Sequence, residues 1–169
     1  MTRVTEIGAL LLALIAGGCI EGQQATEFRE ESGTLALTHL GRRIRSEHPT
    51  ERIAVARDAY CGFPEACPSA GGPSSWPPGV LDGARRELRA NIVSGGPRHA
   101  LKTSTVDLAV AFGPIRTVSK DSLELVVRYD HRGGARITRV SMRRTGAGWS
   151  VEAEKTLSTA TYSDTLEIR

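Results

Sequence analysis

The chain has 169 residues, with 22 Lys and Arg against 19 Asp and Glu for a formal net charge of +3; 40% of it is hydrophobic and 5% aromatic. That length suits one domain of ordinary size. The small positive balance excludes a dedicated nucleic-acid binder while allowing mild attraction to anionic surfaces.

Met1 to Cys19 sets the context for everything after it. Arg3 and the free amine supply positive charge, Ala9 to Ile15 is an unbroken apolar run, and Ala16-Gly17-Gly18-Cys19 follows directly. This is the layout of a secretory signal. A spanning helix needs about 20 apolar residues, so Gly8 to Gly18 is too short to be one. Ala13-Leu14-Ile15 does not supply the A-x-A of an ordinary cleavage site. The segment resembles the lipobox of bacterial lipoproteins: Ile15 stands near the family's Leu, Gly17 takes the position usually filled by Ala or Ser, and Cys19 is the modified residue. The resemblance covers the signal alone. It implies diacylglycerol on the Cys19 thiol, cleavage between Gly18 and Cys19, and an anchor that holds once two or three acyl chains are present. Ile20, where an Asp would signal retention in the inner membrane, implies the periplasmic face of the outer membrane.

Removing residues 1–18 leaves the net charge unchanged, because Arg3 and Glu6 depart together. Residues 19–26, with Gly22, Gln23 and Gln24, read as a tether. Residues 27–169 then form a single periplasmic domain. Leu37, Leu40 and Ile44 recur at helical spacing and predict a helix between Glu27 and Ser46, with Phe28 and Leu35 as extensions of its apolar stripe. Gly33 and Gly41 weaken that helix. Arg42, Arg43 and Arg45 fall in its last turn, where cations suit the helix dipole; a solvated turn is favoured over a phosphate site.

Ile53 and Val55 alternate and predict a short strand within Glu51–Asp58. A loop over residues 59–79 follows, dense in proline, glycine and serine; a stretch this long is unusual in a compact domain. Cys61 and Cys67 are the cysteines left after Cys19 is acylated. In an oxidising compartment their spacing favours a structural disulfide contributing roughly 2 kcal/mol. A zinc site would need further ligands, and a redox dithiol usually has two residues between its cysteines. Trp76 reads as a core plug rather than a stacking plate. Val80–Val93 is expected to be the second helix, with Leu81, Ala84, Leu88 and Ile92 on one side and Gly95-Gly96-Pro97 ending it.

The rest of the chain alternates. Val106, Leu108, Val110 and Phe112 predict one strand, Leu123 to Tyr129 a second, Thr138 to Met142 a third and Trp149 to Ala153 a fourth, each with one buried face. A turn at Gly133-Gly134 would set Val127 opposite Val140 and Leu125 opposite Met142. A turn at Gly146-Ala147 would set Met142 opposite Val151 and Val140 opposite Ala153. Both registers turn the same side chains of the middle strand inward. They place Glu124 opposite Arg143 and Arg139 opposite Glu154 on the outer face, and Arg144 beside Trp149. Leu166 and Ile168 offer a further weak strand.

The expected fold is therefore α+β, two helices packed on a C-terminal antiparallel meander of three to five strands. That order, and the closing segment Thr145-Gly146-Ala147-Gly148-Trp149-Ser150-Val151, resemble in architecture the α+β cone of the nuclear transport factor 2-like and cystatin-like superfamilies. No catalytic residue of those families carries over. His39, His48, His99 and His131 are scattered, and H-E-x-x-H, G-x-S-x-G and phosphate-cradling loops are absent from the sequence. Arg128, Arg139 and Arg143 share the outward sheet face. They are candidates for contact with anionic lipid, although Glu124, Glu152 and Glu154 lie on the same sheet to neutralise them.

The expectation is a membrane-anchored envelope lipoprotein acting as a non-catalytic binding or structural protein. It uses no cofactor, metal or nucleic acid, and its partners are the membrane and an envelope protein or anionic lipid. Two other classes stay open: an enzyme with a pocket between helices and sheet, and an envelope assembly factor with an exposed apolar patch. The interior between helices and sheet discriminates, since converging ionisable groups favour catalysis and a filled apolar core favours binding.

Overall fold

Leu37, Leu40 and Ile44 lie on one face of helix α1, residues 31–47, and each is no more than 1% exposed. Burying each stabilises the domain by about 1.5–3 kcal/mol. Leu35, an expected extension of that stripe, faces away from the core and is 52% exposed. The computed structural model describes residues 31–61, 76–77, 79–103 and 105–162. The signal segment, Cys19, the tether, Phe28, Cys67, most of the 59–79 loop, Leu166 and Ile168 lie outside the described residues.

After α1 come strand β1 (Ile53–Ala56), helix α2 (Asp82–Leu88), strand β2 (Asn91–Val93) and helix α3 (Pro97–Thr103). Strands β3 (Leu108–Phe112), β4 (Arg116–Ser119), β5 (Ser122–His131), β6 (Gly134–Thr145) and β7 (Gly148–Thr161) follow. The class is α+β, but the sheet has seven strands in the order β2-β1-β3-β5-β6-β7, with β4 paired to β5 beyond the end of β3. It is mixed: β1 runs parallel to β2 and β3, while β3 through β7 pair antiparallel. The antiparallel meander expected from the alternation is present, extended at one side by a parallel trio.

The second helix is shorter than its apolar spacing suggests. Leu81, Ala84 and Leu88 are buried, yet the chain leaves the helix at Arg89, whose φ of 51° is left-handed. Arg89 and Ala90 then donate backbone hydrogen bonds to the carbonyls of Arg86 and Arg85, closing the last turn. Ile92, expected on the helix, instead sits in β2 opposite Val55. Pro97, expected only as a terminator, opens α3, where its fixed φ and missing N–H suit the first helical position.

Helices α1 and α2 cover one face of the sheet. Their core joins Leu37, Leu40, Ile44, Leu81 and Leu88 to Ile53, Val55, Leu108, Val110, Phe112, Leu125, Val127, Val140, Met142 and Trp149. Trp76 packs against this core and donates its Nε1–H to the Phe112 carbonyl at 3.2 Å, as a plug would. Helix α3 covers the opposite face through Ala100, which joins Ala54, Val106 and Ala109 in a second cluster. Strand β3 is thus buried on both faces, although its alternation predicted one.

Two registers differ from expectation for local reasons. The β5–β6 turn is Arg132-Gly133, because Gly134 is already in the ladder opposite His131 and Thr161, where a side chain would strike the Ala160 carbonyl. Leu125 therefore faces Val140, Leu123 faces Met142 and Val127 faces Thr138. The displacement is two residues, so the same side chains still point inward. Between β6 and β7 the expected Met142–Val151 pair forms, and Arg144 lies opposite Trp149. A bulge then leaves Glu152 unpaired and sets Val140 against Glu154 rather than Ala153. Re-aimed toward the helices, Glu154 meets Arg43 at 3.2 Å instead of Arg139, which faces Lys155. Arg143 faces Ser122, and Glu124 accepts from Ser141 Oγ at 3.4 Å.

Candidate functional site

Arg128 and Asp130 are two residues apart on β5 and so share its outer face. Opposite them on β3 stand Ala111 and Ala109, whose small side chains leave room above the sheet. Asp130 fills part of that room and is fully buried. Arg128 grips it as a fork, Nε donating to Oδ2 at 2.6 Å and Nη2 to Oδ1 at 2.9 Å. Tyr162, the residue after β7, donates its hydroxyl hydrogen to Asp130 Oδ1, and its oxygen accepts from Arg128 Nη2 at 3.1 Å. Cation–π contacts extend the cluster: the Arg128 guanidinium lies 5.2 Å from the Tyr60 ring, and that of Arg98, on α3, lies 4.7 Å from Tyr162.

A buried carboxylate is costly unless its lone pairs are satisfied by charged donors. Here three donors meet two oxygens. The hydrogen bond to Asp130 holds Arg128 well above the usual arginine range, and burial followed by the bond to Asp130 raises the Tyr162 phenol. With both oxygens engaged, Asp130 is suited to holding a conformation. The cluster binds the residue after the last strand, the start of the 59–79 loop and α3 to one point on the sheet.

A second group lies at the far end of α1. The rings of His48 and His131 are 5.8 Å apart, and Glu51 Oε1 is 3.1 Å from His48 Nδ1. Glu51 Oε2 is buried and has no hydrogen-bond partner among the described residues. Burial pushes the His131 imidazole down, aided by the positive charge of His48 and Arg136 and opposed by Glu51 and Asp130. Nearby, Arg52 and Asp107 form a two-pronged pair at 3.0 Å, which holds the Asp107 carboxyl down at about 2. Arg136 stacks 4.8 Å from Tyr129, whose phenol burial raises. His39 is on α1 and His99 on α3, so two of the four histidines meet. No group of three or more His, Cys, Asp and Glu among the described residues is placed to hold a metal ion.

The three arginines singled out from the sequence do share the outer face, but they are not equivalent. Arg128 is committed to Asp130, whereas Arg143 is 63% exposed and 3.5 Å from Glu152. Arg139 lies between them, opposite Val126. Of the basic turn on α1, Arg42 pairs with Glu87 and Arg43 with Glu47 and Glu154. Arg45 donates to the carbonyls of Leu88, His48, Pro49 and Glu51, closing the ends of α1 and α2. Arg42 and Arg43 are solvated as expected, while Arg45 fastens the helix ends. Cys61 is disulfide-bonded; Cys67 and Cys19 lie outside the described residues. Asp130, Tyr60 and Tyr162 were missed in the sequence. Their one visible signal is Arg128 and Asp130 alternating on a strand face opposite a run of alanines.

No protein family, curated protein or solved structure matches the chain.

Proposed function

We propose that the chain is a lipid-anchored protein of the bacterial cell envelope whose α+β domain is a binding or structural module. The observation that carries the anchor is the apolar run Ala9–Ile15 followed at once by Ala16-Gly17-Gly18-Cys19. A module that binds rather than catalyses is supported by the interior between helices and sheet, which is filled: Leu37, Leu40, Leu88, Leu108, Phe112 and Met142 are fully buried there. The main ionisable cluster lies on the other sheet face and is closed on itself. No helix among the described residues is long and apolar enough to cross a membrane.

The test is mass spectrometry of the protein purified from its own membranes. The expected product begins at Cys19, carries diacylglycerol on its thiol, and leaves the membrane fraction when Cys19→Ser is introduced. An unmodified Cys19 in a chain that partitions with soluble protein overturns the proposal.

A further inference from the structure

The placement of α1 sets the end of the sheet from which the tether departs. Gly33 packs so closely on Ile115, just before β4, that a Cβ there would come within 2.9 Å of Ile115 Cδ1. The other end of α1, at His48, meets His131 at the opposite end of β5. The chain therefore enters the domain toward the end of the sheet that carries two hairpin tips, Lys120-Asp121 between β4 and β5 and Gly146-Ala147 between β6 and β7. These tips are neighbours, since the Arg144 N–H donates to the Asp121 carbonyl at 2.8 Å. Residues 19–32 span no more than roughly 50 Å even if fully extended.

That end has the chemistry of a headgroup contact. Arg116, Lys120, Arg143 and Arg144 are all exposed, and Val118 projects an apolar side chain that is 56% exposed. Carboxylates already lie near three of these cations: Asp121 is 4.0 Å from Lys120, Glu152 is 3.5 Å from Arg143, and half-buried Glu124 is opposite Arg116. Exposed pairs of this kind hold their cations weakly, so a phosphate can replace the carboxylate. Each basic residue beside an anionic leaflet favours the bound orientation about fivefold. The tether supplies a high effective concentration, so the surface need not bind strongly by itself.

We infer that the β4–β5 and β6–β7 hairpin tips rest on the membrane that holds the anchor, with Arg116, Lys120, Arg143 and Arg144 on anionic lipid headgroups and Val118 among them. The inference rests on the lipid-anchor reading and adds an orientation to it. It moves the contact from the sheet face bearing Arg128 to the edge nearest the tether.

The experiment uses the acylated chain reconstituted into phosphatidylcholine vesicles with or without phosphatidylglycerol. One variant carries a fluorophore at Val118→Cys, another at Arg132→Cys in the turn at the far end, and spin-labelled lipid serves as quencher. The expected result is several-fold stronger quenching at position 118 than at 132 in anionic vesicles. Changing Arg116, Lys120, Arg143 and Arg144 to Gln abolishes the difference, and changing Arg85 and Arg86 on α2 to Gln leaves it. Equal quenching at both positions, a difference indifferent to phosphatidylglycerol, or an equal loss in the α2 variant overturns the inference. The mass of the same preparation separates the two readings: an unacylated chain removes the anchor and the orientation with it, while an acylated chain quenched equally removes the orientation alone.

Discussion

Asp130 is fully buried, and its carboxylate accepts three hydrogen bonds from Arg128 and Tyr162. Removing one partner of such a pair leaves the other charge stranded, so Asp130→Ala should cost about 3–5 kcal/mol in denaturant unfolding. Replacing both, as Arg128→Met with Asp130→Leu, should cost clearly less than that single change; losses that simply add would show that the two charges are not coupled. His131 gives a prediction of opposite chemistry. Its folded pKa lies below the ordinary 6.5, so at pH values just under 6.5 the unfolded chain binds a proton that the folded one resists. Stability should fall as pH drops from 6.5 toward the lowered value, and His131→Gln should flatten that slope in urea titrations at pH 7 and 5. A slope unchanged by the substitution would show that other groups set it. Neither group was legible from the sequence. Parity placed Arg128 on the outward face, and correctly, but that this face is roofed by α3 depends on contacts between distant segments, which alternation does not encode.

At the scale of elements, what the sequence made plain was what one-dimensional period controls. The stripe Leu37, Leu40, Ile44 and the alternation along β5 and β6 are local, and they folded as read, whereas β3 is buried on both faces and the bulge in β7 leaves Ala153 exposed. The extent of α2 was not, because a non-glycine residue in left-handed conformation at 89 gives no warning, and Ile92 continues the helical spacing by coincidence. Strand β4 was invisible for a related reason: Arg116 to Ser119 are all exposed, so no buried face imposes a pattern. Gly41 read as a weak point in α1, and the structure gives it a purpose. A Cβ there would approach the backbone of Ala84 at 2.9 Å from its carbonyl oxygen, and one at Gly83 would strike the Thr38 side chain. Gly41→Ala should therefore lose about 1–2 kcal/mol by thermal or denaturant unfolding, because overpacking against backbone outweighs the roughly 1 kcal/mol gain in helix propensity. A stabilised variant would mean that α2 can draw back without loss.

The described domain is built on a mixed sheet whose most protected strands are two short ones, β1 and β3. β1 and β3 are covered by α1 and α2 on one face and approached by α3 on the other, and every residue in both is buried. Amides of Ala54 to Ala56 and Leu108 to Ala111 should exchange slowest in native-state hydrogen exchange, and those of β4 fastest among the strands. Slower exchange in β6 and β7 than in β1 would place the stable unit in the meander instead. The last strand closes the described sheet with one long side facing outward, and its two bulges divide it into paired runs of four residues, 148–151, 153–156 and 158–161. Fibrils are built from uninterrupted segments of about six or seven residues. Chains packed shoulder to shoulder on a lipid surface would meet at high local density, and an outer margin broken at Glu152 and Leu157 denies each neighbour the template along which such a crowd would zip together.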